Sequence, residues 1–299
     1  MQHFKEFELK NYTSFKIGGK AKNAYFPETI DEFSSLLKTL DNPIILGGMS
    51  NVLISSLGIE QDVILTKKLT HFEINNDEIY AQAGVMGPIL SRIATEHSLS
   101  GMEFMCGFPG TIGGIVSMNA GAHKQQISDI FLTATAFDKK NKKVLTLTKK
   151  DMNFEYRKSI ILDKDLVLLD ATFKLTIKDK NKIQEQVNAN QNFRKTKQPN
   201  LSTPNCGSVF KNPQNDSAGR LLEDIGAKSF SVGGAKVYEN HANFIINDNN
   251  ATSTDVSKLM KKMYNEVKEK HNIKLRPEVR FIGEMNEEEK EIWNELLNN

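Results

Sequence analysis

Two segments of this 299-residue chain place glycine beside small polar residues, a composition suited to holding phosphate or a heterocycle. One is Gly47-Gly48-Met49-Ser50-Asn51-Val52-Leu53. The other is Gly107-Phe108-Pro109-Gly110-Thr111-Ile112-Gly113-Gly114-Ile115-Val116-Ser117-Met118-Asn119-Ala120-Gly121-Ala122. Glycine lets a ligand approach the main chain with no Cβ in the way. Successive amide N–H groups in such loops form concavities for phosphate oxygens. Ser50, Asn51, Thr111 and Asn119 add side chains able to bond a diphosphate or a ring edge. Neither segment is GxGxxG or GxxxxGK[ST], which disfavours Rossmann NAD binding and P-loop phosphoryl transfer. The six histidines show no HxxxH spacing, so no metal site is expected. Gly207-Ser208-Val209-Phe210 lacks the GxSxG pattern of a hydrolase elbow.

These loops need elements to position them. Ile44-Ile45-Leu46 reads as a buried strand running directly into Gly47-Gly48. Val63-Ile64-Leu65 and Ile79-Tyr80-Ala81 read as further strands. The spacing predicts helices over Asp31–Lys38 and Pro88–His97, the second with proline in its first turn. Thr133–Phe137 and Val144–Leu147 flank the basic run 139–143 and read as a hairpin with a solvated turn. Strand-rich sequence continues to about Lys178. Asn181–Arg194 reads as a helix, and Gln198-Pro199 and Thr203-Pro204 break the chain after it. Ala218–Ile225 is a short helix stopped by Gly226. Thr254–His271 is an amphipathic one behind a Ser/Thr cluster, with Val256, Leu259, Met260, Met263 and Val267 on one face. The fold class is α+β, with a boundary near 178–182.

The chain carries 39 Lys+Arg against 37 Asp+Glu, so no whole-protein field points to nucleic acid or an anionic membrane. Cys106 and Cys206 form no CxxC pair, which suits a reducing compartment. Residues 1–8 lack the apolar core of a signal peptide, and no apolar run nears the ~20 residues that span a bilayer. A cytoplasmic protein is expected.

The segment Gly107–Ala122 resembles the GxPGTIGGAVxMNAGA signature of UDP-N-acetylenolpyruvoylglucosamine reductases. Leu46–Leu53 resembles that family's LGGGSNLL, and Tyr12–Ala21 its NTTFKIGGPA block, in colinear order with others to about residue 283. The departures are Met49 for a third glycine, Ile115-Val116 for Ala-Val, and Tyr12 before Thr13. The resemblance implies an FAD-binding domain of the vanillyl-alcohol oxidase/p-cresol methylhydroxylase type, with two α+β subdomains, at 1–179, split near 66–72. It also implies an α+β substrate-binding domain at 180–283, and leaves a tail at 284–299 expected to be helical. No long tyrosine-bearing insertion lies between Arg194 and Ser208, which fits the shorter of the family's two types.

The implied activity is NADPH-dependent, FAD-mediated reduction of the enolpyruvyl group of a UDP-amino sugar in peptidoglycan synthesis, and hence a role in cell wall biogenesis, cell shape and division. FAD would be bound non-covalently and reduced by NADPH, which leaves before the UDP-sugar enters. Oligomeric state is left open. By resemblance, Gly47, Gly48, Ser50, Asn51, Gly107, Pro109, Gly110, Thr111, Gly113, Gly114, Asn119, Ala120 and Gly121 contact the cofactor. Phe154-Glu155-Tyr156-Arg157-Lys158-Ser159 resembles the EYRxS block. It makes Arg157 the grip on the substrate carboxylate, which a planar guanidinium meets bidentately, with Tyr156 a substrate contact. Asn205–Pro213 resembles the GSxFKNP block and makes Ser208 the proton donor. Arg276-Pro277-Glu278-Val279-Arg280 matches RPEV and makes Glu278 the third catalytic group. Lys197 and Asn212 would anchor the UDP-sugar, while Gly233–Ala235 and His241–Ile245 resemble scaffolding of the substrate lobe.

Taken without the resemblance, Arg157 between Glu155 and Lys158 reads as a surface ion pair, and Ser208 as a turn serine. A sugar-lactone oxidase on the same flavin fold would need no proton donor to an enolate. A non-catalytic nucleotide-binding protein would need none of the three catalytic blocks.

Overall fold

The computed structural model describes residues 1–163 and 165–298. The chain divides into two compact units. The first comprises Met1–Phe4, Asn23–Gly48 and Gln61–Arg194; the second comprises Lys5–Lys22, Met49–Glu60 and the chain from Lys195 onward. This partition regroups the chain relative to the sequence-order division at 179/180, because two early segments belong with the C-terminal half. Within the second unit, Val52–Ile54 pairs in parallel with Arg280–Ile282, and Phe15, Ile17 and Leu53 join one buried cluster with the helix Ser253–His271.

In the first unit the helix Ile30–Thr39 starts where the Thr29 hydroxyl accepts the Glu32 N–H at 3.2 Å. Its buried Phe33, Leu36 and Leu37 cluster with Ile64, Leu69, Phe137, Val167 and Leu169. Strand Ile44–Leu46 pairs in parallel with the end of Ile59–Leu65, Leu46 opposite Leu65, and delivers the chain into Gly47-Gly48. A five-stranded antiparallel sheet orders Lys143–Thr148, Phe131–Asp138, Leu166–Lys174, Glu78–Gln82 and Phe72–Asn75. The expected hairpin is its outer pair. Three alanines stand abreast across it, Ala134 opposite Ala171 and Ala171 opposite Ala81. They share a buried cluster with Ile112, Ile115 and Val116 of the short helix Ile112–Ser117. Small side chains there let that helix, which carries Gly113 and Gly114, lie close to the sheet. The helix Lys180–Lys197 starts one residue ahead of the expected span and runs three beyond it; its buried Asn190 donates to the Glu103 carbonyl at 3.0 Å.

The second unit holds an antiparallel sheet ordered Asn205–Ser208, Phe244–Asn247, Ala235–Val237 and Ser231–Val232. Helix Ser253–His271 opens with a capping box between Thr252 and Asp255 and buries the predicted face, Val256 to Val267. The expected tail helix is Glu287–Leu297, and Asn299 lies outside the described residues. It docks through Ile292, Trp293 and Leu296, the indole N–H donating to Ser257 Oγ at 2.9 Å. Among the described residues no helix is long and apolar enough to cross a membrane, and both cysteines are free thiols.

Candidate active site

In the first unit the two glycine segments press on each other. The Gly48 N–H donates to Thr111 Oγ1 at 3.2 Å. A Cβ on Gly47 would stand 2.3 Å from that same hydroxyl, and one on Gly48 3.1 Å from the Pro109 carbonyl. These glycines are required by close approach of protein to protein. Gly113 is similar, its N–H donating to Ala83 O at 2.8 Å and its missing Cβ 3.2 Å from that oxygen. Gly114 differs: a Cβ there would meet nothing within 4 Å, and the residue is exposed. Neither packing nor backbone conformation asks for glycine at 114, and the space beside it is open.

The Glu155–Ser159 block is fastened to the second glycine segment at three points. Asn119 Nδ2 donates to the Glu155 carbonyl at 3.0 Å, Arg157 Nη2 to the Gly121 carbonyl at 2.9 Å, and Ser159 Oγ to the Ser117 carbonyl at 2.7 Å. Arg157 takes φ of 55° and holds its guanidinium 5.0 Å from the centroid of the half-exposed Tyr156 ring. Such a backbone is uncommon for a branched-out side chain and costs of order 1 kcal/mol. Asn119 is buried, and its carboxamide oxygen accepts the Ser128 N–H at 3.0 Å, so its side chain organises the loop. Arg194, which no motif or spacing singles out, packs its Cδ 3.0 Å from where a Gly107 Cβ would be. Burial lowers its pKa.

In the second unit Ser208 ends the strand Asn205–Ser208, opposite Phe244. Gly207 before it takes φ of 79°, the left-handed region that favours glycine, and its N–H donates to Asn205 Oδ1 at 2.9 Å. The Glu278 N–H donates to the Val209 carbonyl at 2.9 Å, and the Lys211 N–H to the Arg276 carbonyl at 2.9 Å. The Ser208 and Glu278 blocks are therefore neighbouring extended segments. Asn51 pairs with the Glu278 block: its Nδ2 donates to the Glu278 carbonyl at 3.1 Å, while its own carbonyl accepts from the Arg280 N–H at 3.2 Å. Met49, where the family loop has glycine, keeps φ of 51° and buries its side chain, so packing offsets the strain of a non-glycine residue. Asn212 accepts the Ala218 N–H at 3.0 Å, at the start of helix Ala218–Asp224. The charges of His241 and Lys197 reach Glu223, whose carboxyl is held low chiefly by its hydrogen bond to Lys228. Burial lowers the pKa of His241, and its Nδ1 accepts the Asn243 N–H at 3.2 Å, as suits a structural histidine. Among the described residues no group of His, Cys, Asp and Glu could hold a metal ion.

A family model described as an FAD binding domain matches residues 21–148. A second, the C-terminal domain of UDP-N-acetylenolpyruvoylglucosamine reductase, matches residues 198–282. The chain is 42% identical over 290 residues to the UDP-N-acetylenolpyruvoylglucosamine reductase of Caldicellulosiruptor bescii, covering 95% of this chain and 92% of that one. It is 40% identical over 280 residues to that of Lactococcus lactis subsp. cremoris strain MG1363, covering 92% and 93%. The crystal structure of the Thermus caldophilus enzyme superposes with a TM-score of 0.81 at 28% identity, over 94% of this chain and 98% of that one. Fold and site thus define an FAD-binding oxidoreductase of the α+β class. The chain belongs to the UDP-N-acetylenolpyruvoylglucosamine reductase family, as its glycine, Arg157, Ser208 and Glu278 blocks led us to expect.

Proposed function

We propose that this chain reduces the enolpyruvyl group of UDP-N-acetylglucosamine enolpyruvate to give UDP-N-acetylmuramate, with NADPH as electron source, in the cytoplasmic stage of peptidoglycan synthesis. The relatives' names and the matched C-terminal domain support the substrate. The observation that carries the mechanism is the Glu278 N–H to Val209 carbonyl bond, which sets the Ser208 and Glu278 segments side by side.

The room beside Gly114 fits FAD, which the residues from Gly107 to Gly121 would hold together with Gly47, Gly48, Ser50 and Asn51. The chemistry FAD supplies when bound is hydride transfer, from NADPH and then to the terminal enolpyruvyl carbon. Arg157 binds the substrate carboxylate through its guanidinium fork, exchanging its bond to the Gly121 carbonyl for a stronger charge-assisted pair. Glu278 holds the carboxylate in its enolic form as negative charge builds on it. The Ser208 hydroxyl then delivers a proton to the carbon next to that carboxylate. Tyr156, Lys197 and Asn212 bind the nucleotide sugar in its ground state. In functional terms residues 1–179 chiefly serve the flavin, with Tyr156 and Arg157 turned to the sugar, and 180–283 serve the sugar.

Anaerobic mixing tests the proposal. Yellow protein should bleach with NADPH, and the enolpyruvyl UDP-sugar should then restore the colour with formation of UDP-N-acetylmuramate. Bleached protein that the sugar leaves colourless would overturn the substrate assignment.

A further inference from the structure

We infer that Asn243 is a positioning residue for the proton transfer: its carboxamide fixes the register between Ser208 and Glu278. The inference rests on the roles proposed above for those two residues.

The backbone ladder between Asn205–Ser208 and Phe244–Asn247 pairs Asn205 with Ile246 and Ser208 with Phe244, with an irregularity between them. Beyond Ser208 the regular ladder ends, since Phe244 is where the partner strand begins. The chain from Val209 onward would then present unpaired peptide groups inside a core, where Val209 and Phe210 are 0% and 1% exposed. An unpaired buried peptide group is destabilising, because it has lost water and gained no partner.

Asn243 meets that need from one position. Its main-chain carbonyl accepts the Val209 N–H at 3.0 Å. Its side-chain Oδ1 accepts the Phe210 N–H at 3.0 Å, and its Nδ2 donates to the Phe210 carbonyl at 2.8 Å. The carboxamide therefore stands in for a peptide unit and extends the ladder by one pair past Ser208. Its own N–H is taken by His241 Nδ1, which steadies the residue that makes the clamp.

The other edge of the same segment carries Glu278. Phe210 forms a bridge with Pro277, the Val209 carbonyl accepts the Glu278 N–H, and the Lys211 N–H donates to the Arg276 carbonyl. Residues 209–211 are thus held on one side by Asn243 and on the other by 276–278. This short stretch ties the segment of the acid to the segment of the carboxylate, and Asn51 holds the latter from its other side. Asn243 is 3% exposed and acts through peptide groups. Only a side chain with one acceptor and one donor at this reach completes both bonds. Asp keeps the acceptor but turns a second oxygen on the Phe210 carbonyl, and Ala removes both.

A displacement of about 1 Å at a reacting group costs about 10²-fold in rate. Asn243→Ala is therefore expected to slow reoxidation of the reduced enzyme by the sugar by about 10²-fold, with flavin content kept and bleaching by NADPH changed less than about threefold. Added to Ser208→Ala, it should slow reoxidation little further, because a misplaced acid and a missing one are the same defect. Asn243→Asp, which keeps one of the two bonds, gives a second variant if the alanine form does not fold, with the same pattern expected. Amide exchange of Phe210 in the wild type should be slow and should quicken selectively in either variant. A yellow Asn243→Ala protein that reoxidises at the wild-type rate while Ser208→Ala does not overturns the inference alone. Equal, additive slowing in the presence and absence of Ser208 also overturns it, leaving general destabilisation. Unimpaired reoxidation in Ser208→Ala itself would instead remove the reading on which the inference rests.

Discussion

The two units hold their candidate residues by different means. In the first, segments pack closely at glycine: Gly47 faces the Thr111 hydroxyl, and Gly48 and Gly113 face the main chain of another segment, where a side chain would be. Asn119 and Arg157 take φ of 41° and 55° to keep the loop folded, and beside Gly114 a space is left. In the second unit carboxamides clamp backbone at each block, as Asn119 does once in the first: Asn205 onto Gly207, Asn243 onto Phe210, Asn51 onto Glu278 and Asn212 onto Ala218. On the proposed function, the first arrangement leaves room for the flavin, and the second holds the Ser208 and Glu278 segments in register. A cofactor cradle tolerates side chains that point away but not ones that fill it. A proton donor tolerates bulk nearby but not displacement.

The largest effect should come from breaking the second arrangement at its reacting atom. Ser208→Ala removes the proton source, so reoxidation by the enolpyruvyl sugar should fall by roughly 10²–10⁴-fold. Flavin reduction by NADPH involves no proton to the sugar and should stay near normal. Rapid-mixing absorbance separates the two half-reactions. Reoxidation at the wild-type rate would show that this hydroxyl is structural.

The first arrangement breaks in two distinguishable ways. Gly114→Leu should leave the flavin-free protein as stable as before or more so, by up to about 1 kcal/mol, since leucine is the better helix former and its Cβ enters open space. Its FAD content should nevertheless collapse. Gly47→Ala should destabilise even the flavin-free protein by about 1–3 kcal/mol, because its Cβ runs into the Thr111 hydroxyl. Urea denaturation of the stripped proteins, set beside their visible spectra, checks both. A Gly114→Leu protein that purifies yellow would show that the open space is not the flavin's.

A smaller effect is expected at Lys197. Lys197→Ala should raise KM for the sugar by about tenfold, the loss of one charge-assisted contact, with flavin reduction by NADPH unchanged. Slower bleaching with an unaltered KM for the sugar would place Lys197 on the other substrate.

How much of this was legible beforehand divides along the same line. Local spacing announced the strand running into Gly47-Gly48, the hairpin around 139–143, and the helices at Ile30–Thr39 and Ser253–His271, because each draws on contacts within a few residues. The glycine segments were visible as composition, yet nothing in the sequence distinguishes Gly114 from Gly113; only the neighbour at Ala83 does. The grouping of 5–22 and 49–60 with the C-terminal half was invisible, because it depends on a parallel pair between Val52–Ile54 and Arg280–Ile282, more than 220 residues away. Asn243 was read as scaffolding, since its carboxamide acts on Phe210, 33 positions away, and short-range pattern carries no trace of that. Arg194 was missed for the same reason.

The smallest expected effect contrasts the two units through one buried titratable group in each. Asp170 lies on the first unit's sheet, 9% exposed, accepting from Thr135 Oγ1 at 2.6 Å and from Tyr80, whose own pKa burial pushes up to about 12. Burial raises the Asp170 pKa, outweighing those two hydroxyl bonds. A carboxyl whose folded pKa is raised contributes stability that is present below its unfolded value, about 3.9, and lost as pH rises through the folded value. Wild type should therefore lose stability relative to Asp170→Asn as pH climbs from 4. His241 has the opposite sign, because burial lowers its pKa and keeps the imidazole neutral. Its contribution is present above about 6.5 and lost as pH falls through the lower folded value. Wild type should therefore lose stability relative to His241→Asn, which keeps an acceptor near Asn243, as pH drops below 6.5. One group sets a ceiling of about 1.4 kcal/mol per pH unit on either slope. Urea denaturation of the three proteins between pH 4 and 8 reads both differences, in which the remaining carboxylates cancel. Slopes of the same sign would mean that one of the two groups is not desolvated as its surroundings require, and a flat Asp170→Asn difference would identify the carboxyl as the one that keeps its charge in the sheet.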